Sequence, residues 1–164
     1  MAPRPFEIAD LAALLPARAR LIGVDLGTKT IGLALSDVER RIASPLLTIA
    51  RTRFAADARQ LNEQIEKFEA FALIVGLPLS MEGKESPRSQ SIRAFLRSLA
   101  EVSAIPTALW DERFSTAAVQ RSLIANDVSR ARRAEVIDKM AAAYILQGAL
   151  DRLAGLAARR DDGA

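Results

Sequence analysis

Short apolar runs broken by turn residues fill the first third of this chain, and helical periodicity takes over afterwards. The segments "LIGVDL" (21–26) and "TIGLALS" (30–36) are split by "GTK", which predicts a β-hairpin closed by a glycine-containing turn. A third strand is expected in "SPLLTIA" (44–50). From 53 to 70 the apolar positions Phe54, Ala58, Leu61, Ile65 and Phe68 recur at helical spacing. "FALIVGLPL" (71–79) is then apolar without a break, as in a strand covered on both faces, and "SMEGKESPR" (80–88) is polar and turn-rich. A helix is expected over 86–101, and "PTALW" (106–110) reads as a strand that stops at "DER". "STAAVQRSLI" (115–124) opens on a Ser/Thr cap and predicts a helix. After the basic segment "SRARRAE", an Ala-rich helix is expected over 134–156.

Three strands followed by strands alternating with helices define an α/β layered domain. No repeat or linker divides it, so a single domain is expected at 19–156. Residues 1–18 carry Pro3, Pro5 and Pro16 around "FEIADLAALL". They predict one or two helical turns in an N-terminal extension, either packed on the domain or loose. Residues 157–164 read as a flexible tail.

Composition acts on this picture by exclusion. The 164 residues include no Cys, so neither a disulfide framework nor a thiolate nucleophile exists. They include no His, which removes imidazole general-base chemistry and nearly every common zinc site. Carboxylates, hydroxyls, lysines or a hard metal ion must then carry any catalysis. Net charge is only +3, but most of the 23 basic residues are Arg, whose planar fork suits bidentate phosphate contacts. Apolar runs fall short of the ~18 residues of a membrane span, and the N-terminus lacks a secretory layout. A cytoplasmic protein without a membrane partner is expected.

Three acidic positions stand out. Asp25 lies inside an apolar run, where an unpaired carboxylate would cost several kcal/mol. If Leu26 pairs with Ile31, Asp25 falls opposite Gly32, and Gly23, on the same face by strand alternation, also leaves room beside it. Asp111 and Glu112 sit where a strand runs out, a common place for sites in α/β sheets, and strand parity leaves open which of them points inward. Asp138 borders the apolar stripe Ile137, Met140, Ala141, Tyr144, Ile145 of the last helix. The small Ala141 and Ala142 would let that helix approach the sheet closely. Each acid also has an ordinary reading: bonded to local backbone, bridged to Arg113, or exposed on a helix. Together, with no His or Cys beside them, they suit Mg²⁺ or Mn²⁺, which prefer oxygen ligands.

The segments "GVDLGTKTIGLALSD", "IVGLPLSMEGKES", "DERFSTAAV" and "IDKMAAAYILQ", in this order and at these separations, resemble the YqgF-type family. Its members are described as pre-16S ribosomal RNA nucleases and as Holliday-junction-resolvase-like proteins. The resemblance covers about residues 20–151. It implies a ribonuclease H-like fold, a mixed five-stranded sheet with the first three strands antiparallel and helices on both faces. It further implies a metal-dependent endonuclease that trims the 5′ end of the small-subunit rRNA precursor. Carried over by position, the acidic triad that would bind Mg²⁺ or Mn²⁺ is Asp25, Glu112 and Asp138. Lys29, Arg113, Arg130, Arg132 and Arg133 are the expected contacts to nucleic acid, with Arg88, Arg93, Arg97 and Arg121 also near the motifs. The expected partner is structured precursor rRNA or a pre-ribosomal particle, and branched DNA is the alternative. A ribosome-assembly factor that binds without cleaving is a rival reading. "DLGTKTIG" also resembles the phosphate-binding hairpin of actin-like ATPases and sugar kinases, but those need two such domains and this length supplies one.

Overall fold

The computed structural model describes residues 4–114 and 130–163, the side chains of 114 and 130–135 excepted. Its elements are α1 (Ile8–Leu14), β1 (Arg20–Leu26), β2 (Thr30–Ser36), β3 (Ala43–Ala50), α2 (Phe54–Phe68), β4 (Ala70–Leu77), α3 (Pro87–Val102), β5 (Thr107–Asp111), a 3₁₀ turn (Glu112–Phe114) and α4 (Arg130–Asp162). The five strands form one sheet in the order β3-β2-β1-β4-β5. β1 to β3 pair antiparallel, while β4 joins β1, and β5 joins β4, in parallel. This is the mixed sheet expected. The helix expected at 115–124 lies outside the described residues.

Strand alternation sends each strand's apolar residues to two different cores. Leu21, Ala34, Ala72, Ile74, Ala108 and Trp110 face α4, where they meet Ala142, Ile145, Leu146 and Ala149. Ile22, Val24, Leu33, Leu73 and Val75 face the other way, toward Ala58 and Leu61 of α2 and Ile92, Phe95 and Leu99 of α3. Burying a side chain of this size contributes ~1.5–3 kcal/mol, so helices on both faces are required to cover the continuous runs of β1 and β4.

Two local devices set the helices that flank the sheet's working end. Ser86 caps α3 by accepting from the Ser89 amide, the Ser89 hydroxyl accepts from the Ser86 amide, and Pro87 fills the first helical turn, where its missing N–H costs nothing. Buried Asp57 accepts from the Thr52 amide at 3.0 Å and so fixes the turn from β3 into α2. At the opposite end of α2, Glu69 takes the left-handed conformation (φ 51°) and the chain turns directly into β4.

Residues 1–18 offered two fates, and the described part is packed. The Phe6 amide donates to the Thr107 carbonyl at 2.7 Å, Phe6 forms a parallel bridge with Ala108, and Ile8 and Leu11 of α1 bury against the α4 core. The segment thereby covers part of the free edge of β5. α4 is longer than the 134–156 expected: it starts at Arg130 and takes in 157–162 of the supposed tail. Ala and Arg there have high helix propensity, and Arg159 and Arg160 complement the helix dipole in the last turn. Among the described residues no helix is long and apolar enough to cross a membrane.

Candidate active site

The α4 face of the sheet carries a row of three residues at its upper end. Asp25 of β1 pairs directly with Gly32 of β2. On its other side, Val24 is level with Val75 of β4, so one step further along that ladder brings Asp25 level with Gly76. A buried carboxylate, only 2% exposed, thus stands between two glycines, each about 4.8 Å away in the hydrogen-bonding direction.

Both glycines are there because something lies on them. A Cβ on Gly32 would collide with the Asp138 carbonyl and come within 2.8 Å of the Lys139 amide nitrogen. A Cβ on Gly76 would sit 2.6 Å from Glu112 Oε1 and 2.5 Å from Ile145 Cδ1. The same close approach continues down the helix, since a Cβ on Gly23 would lie 2.7 Å from the Ala142 carbonyl oxygen. Absent side chains in the sheet and alanines in α4 therefore bring the helix backbone onto the strands, and Asp138 with it.

The row resolves the ambiguity at the end of β5. Ala108 and Trp110 face α4, and parity carried two residues further puts Glu112 on that same face, beside Gly76. Asp111 belongs to the opposite side, where its carboxylate accepts from Arg113 Nε at 3.0 Å, from Nη2 at 2.5 Å and from the Arg113 amide at 3.0 Å. These bonds to the guanidinium hold the Asp111 carboxyl below its ordinary range and raise Arg113 above its own. The guanidinium also donates to the Met81 carbonyl at 3.3 Å and lies against Gly83. Arg113 is thus tied to the 80–86 loop as well as to Asp111.

Asp25, Glu112 and Asp138 thus share one face and one end of the sheet. They stand along the row, and among the described residues no three His, Cys, Asp or Glu side chains close on a point as an ion would require. The donor set is nonetheless one of hard carboxylate oxygens, and the two glycines let Asp138 and Glu112 come in over the strands on either side of Asp25, so the residues suit a divalent ion. Exposed Lys29 occupies the tip of the β1–β2 turn, where its carbonyl accepts from the Arg51 amide at 2.9 Å. The side chains of Arg130, Arg132 and Arg133 lie outside the described residues.

Three further side chains touch this end of the sheet. The Thr30 hydroxyl donates to the Asp138 carboxylate. Arg51 Nη1 donates to the Gly27 carbonyl at 2.6 Å, its guanidinium 5.5 Å from the centre of the Phe95 ring. Arg88 Nη2 donates to the Leu26 carbonyl at 3.4 Å and lies 3.9 Å from Asp25 Oδ1. Sequence pattern gives no signal for Thr30 or Arg51, and marks Arg88 only as one of several arginines near the motifs. Residue 30 meets residue 138 only because α4 packs on the sheet, and residue 88 meets 25 and 26 only because α3 does. The nearest hint is that Arg88 directly follows the polar loop that leaves β4.

The model of the family described as "RuvX: Holliday junction resolvase" matches residues 19–152. A relative from Methylocella silvestris named "Putative pre-16S rRNA nuclease" is 65% identical over 93% of this chain and 95% of its own length. One of the same name from Beijerinckia indica is 58% identical over 94% and 93%. Among solved structures, the RuvC of Thermus thermophilus in complex with Holliday junction substrate aligns with TM-score 0.52 at 13% identity, over 83% of this chain and 96% of that one. The yeast mitochondrial Holliday junction resolvase Ydc2 gives 0.51 at 17%, over 94% and 86%. The structural likenesses establish the fold as ribonuclease H-like. With the family model spanning most of its length and such close relatives along nearly all of it, the chain belongs to the RuvX family of nucleases.

Proposed function

We propose that this protein is a metal-dependent endonuclease that processes the 5′ end of the 16S rRNA precursor. The observation that carries the chemical part is the row Gly32–Asp25–Gly76, with Asp138 over one glycine and Glu112 over the other. With no His or Cys in the chain, carboxylates are the groups left to serve phosphodiester hydrolysis at this end of the sheet. The substrate part rests on the name shared by relatives that are 55–65% identical to this chain.

Asp25, Glu112 and Asp138 would hold Mg²⁺ or Mn²⁺. Such an ion supplies Lewis-acid polarisation of the phosphate and makes water a competent nucleophile near neutral pH. The protein's part is positional. The paired strands fix the direction in which the Asp25 side chain leaves the sheet, between Gly32 and Gly76. Asp138 is carried in by α4 and oriented by the Thr30 hydroxyl. Glu112 reaches back from the end of β5 over Gly76. Lys29 and Arg113, with Arg130, Arg132 and Arg133 of the first turn of α4, would neutralise backbone phosphates, which fixes register without reading sequence. A second reading, cleavage of branched DNA, is favoured by the family's description as Holliday junction resolvases.

One purified preparation assayed on a precursor-rRNA fragment and on a four-way DNA junction, with and without Mg²⁺ or Mn²⁺, tests both. The expected result is metal-dependent RNA cleavage, abolished by Asp25→Asn and by Asp138→Asn in proteins that melt like the wild type. Cleavage that survives either substitution rules out the acidic triad. Preferential cutting of the junction favours the second reading. Tight RNA binding without cleavage under every metal would make the chain an assembly factor.

A further inference from the structure

Arg88 places a cation where it reaches Asp25 and solvent together. It projects from the first turn of α3, and its side chain is 44% exposed, whereas the Asp25 side chain beneath it is 3% exposed. Its Nη2 is anchored on the Leu26 carbonyl, the backbone group immediately after Asp25. At 3.9 Å from Oδ1 it is within ion-pair reach but beyond a hydrogen bond, so the guanidinium balances the carboxylate's charge without being locked to it.

The carboxylates on the guanidinium's own segment are occupied elsewhere. Glu85 accepts from Arg93 Nε at 2.6 Å and from the Ser89 hydroxyl at 3.0 Å, and Glu82 pairs with Lys84. The next backbone carbonyl, that of Gly27, is taken by Arg51. Two guanidiniums from separate elements thus pin consecutive carbonyls, but they differ in what is left over. Arg51 spends its planar face on Phe95. A guanidinium has five N–H donors in a fixed fork, and the Leu26 carbonyl engages one end of Arg88's.

We infer that Arg88 is a phosphodiester-positioning residue of this site: anchored on Leu26, it turns its outer N–H donors to the phosphate that lies against Asp25, so that carboxylate and phosphate share one cation. The inference rests on the nucleic-acid reading above and adds a contact to it. It also gives the polar loop after β4 a purpose, since this loop sets where α3 begins and therefore where Arg88 stands.

The experiment measures equilibrium binding of a fluorescein-labelled RNA hairpin by anisotropy across a salt series. It uses the full-length chain with divalent cations chelated so that the probe is not consumed. Each phosphate contact contributes roughly 0.7–0.9 to the slope of log K against log salt. Arg88→Gln is expected to lower the slope by that amount. Arg88→Lys is expected to restore the slope while binding more weakly, because the charge returns without the fork. An Arg88→Gln protein with wild-type slope overturns the inference, as does an Arg88→Lys protein that melts like the wild type yet fails to recover the slope. Absence of RNA binding by the unaltered chain overturns it as well. Parallel cleavage assays separate the two claims. Cleavage with an unchanged slope removes Arg88 and keeps the nuclease reading, whereas a lowered slope without any cleavage keeps Arg88 and removes hydrolysis.

Discussion

Replacing Gly32 by alanine adds one methyl group to the strand that α4 rests on. That methyl would come within 2.8 Å of the Lys139 amide nitrogen and closer still to the carbonyl of Asp138. Carbon contacts are comfortable only from about 3.5 Å, so this part of α4 must retreat by roughly 1 Å. The obstructing atoms are helix backbone, which cannot rotate aside as a side-chain end could. Overpacking costs ~1–3 kcal/mol, and rigid partners place this case at the upper end. At ~2–4 °C per kcal/mol for a chain of this size, Tm should fall by about 6–12 °C. The retreat also moves Asp138 relative to Asp25, and a 1 Å misplacement in an active site can reduce the rate by ~100-fold. Thermal melts and cleavage rates of Gly32→Ala measure both effects. Gly155→Ala is the control: beyond its own stretch of helix nothing lies within 4 Å of the added methyl, and alanine in a helix interior is favoured over glycine by ~1 kcal/mol, so this variant should be slightly stabilised and fully active. A Gly32→Ala protein that melts and cleaves like the wild type would refute the close seating of α4 on the sheet, and with it the route by which Asp138 arrives.

Three other outcomes are expected. Leu11→Ala, at a fully buried position of α1, should lose ~2–5 kcal/mol in urea unfolding with the m-value unchanged, whereas a negligible loss would mean that the N-terminal segment is not part of the cooperative unit. Arg113 holds the Asp111 carboxyl below its ordinary 3.8, and a depressed acid adds stability above its unfolded value that disappears as pH falls through the folded one. The Tm gap between wild type and Arg113→Leu should therefore be constant near neutral pH and close below about 3.8, and a gap that ignores pH would deny the linkage. Gly148→Ala puts a methyl 2.9 Å from the ring of Trp110, the sole tryptophan, so it should shift the fluorescence emission and cost about 1–3 kcal/mol; an unshifted spectrum would mean that the ring and α4 are not in contact.

Much of the framework was legible from local rules. The glycine turn at 27–29 and the period of two fixed the hairpin register, so Asp25 opposite Gly32 followed from counting residues. The alanines after Asp138 signalled a helix that lies close to its neighbour, as the contact between Ala142 and Gly23 bears out. Helix ends were less legible. α4 extends past its apolar stripe in both directions, and over the exposed 157–162 propensity and terminal charge, not burial, continue it.

What the chain dictates alone is thus its periodicities: which residues share a face, where turns fall, and which chemistry the absence of His and Cys leaves. Only the assembled sheet decides which of Asp111 and Glu112 faces α4, since parity must be counted from Ala108 and Trp110 once the helix is known to cover them. The same holds for Thr30 at Asp138 and Arg88 at Asp25, contacts that span 108 and 63 positions of sequence. Spacing encodes neighbours within an element, whereas these pairs meet through the packing of whole elements. That packing is set by the sum of many side chains rather than by the two that touch.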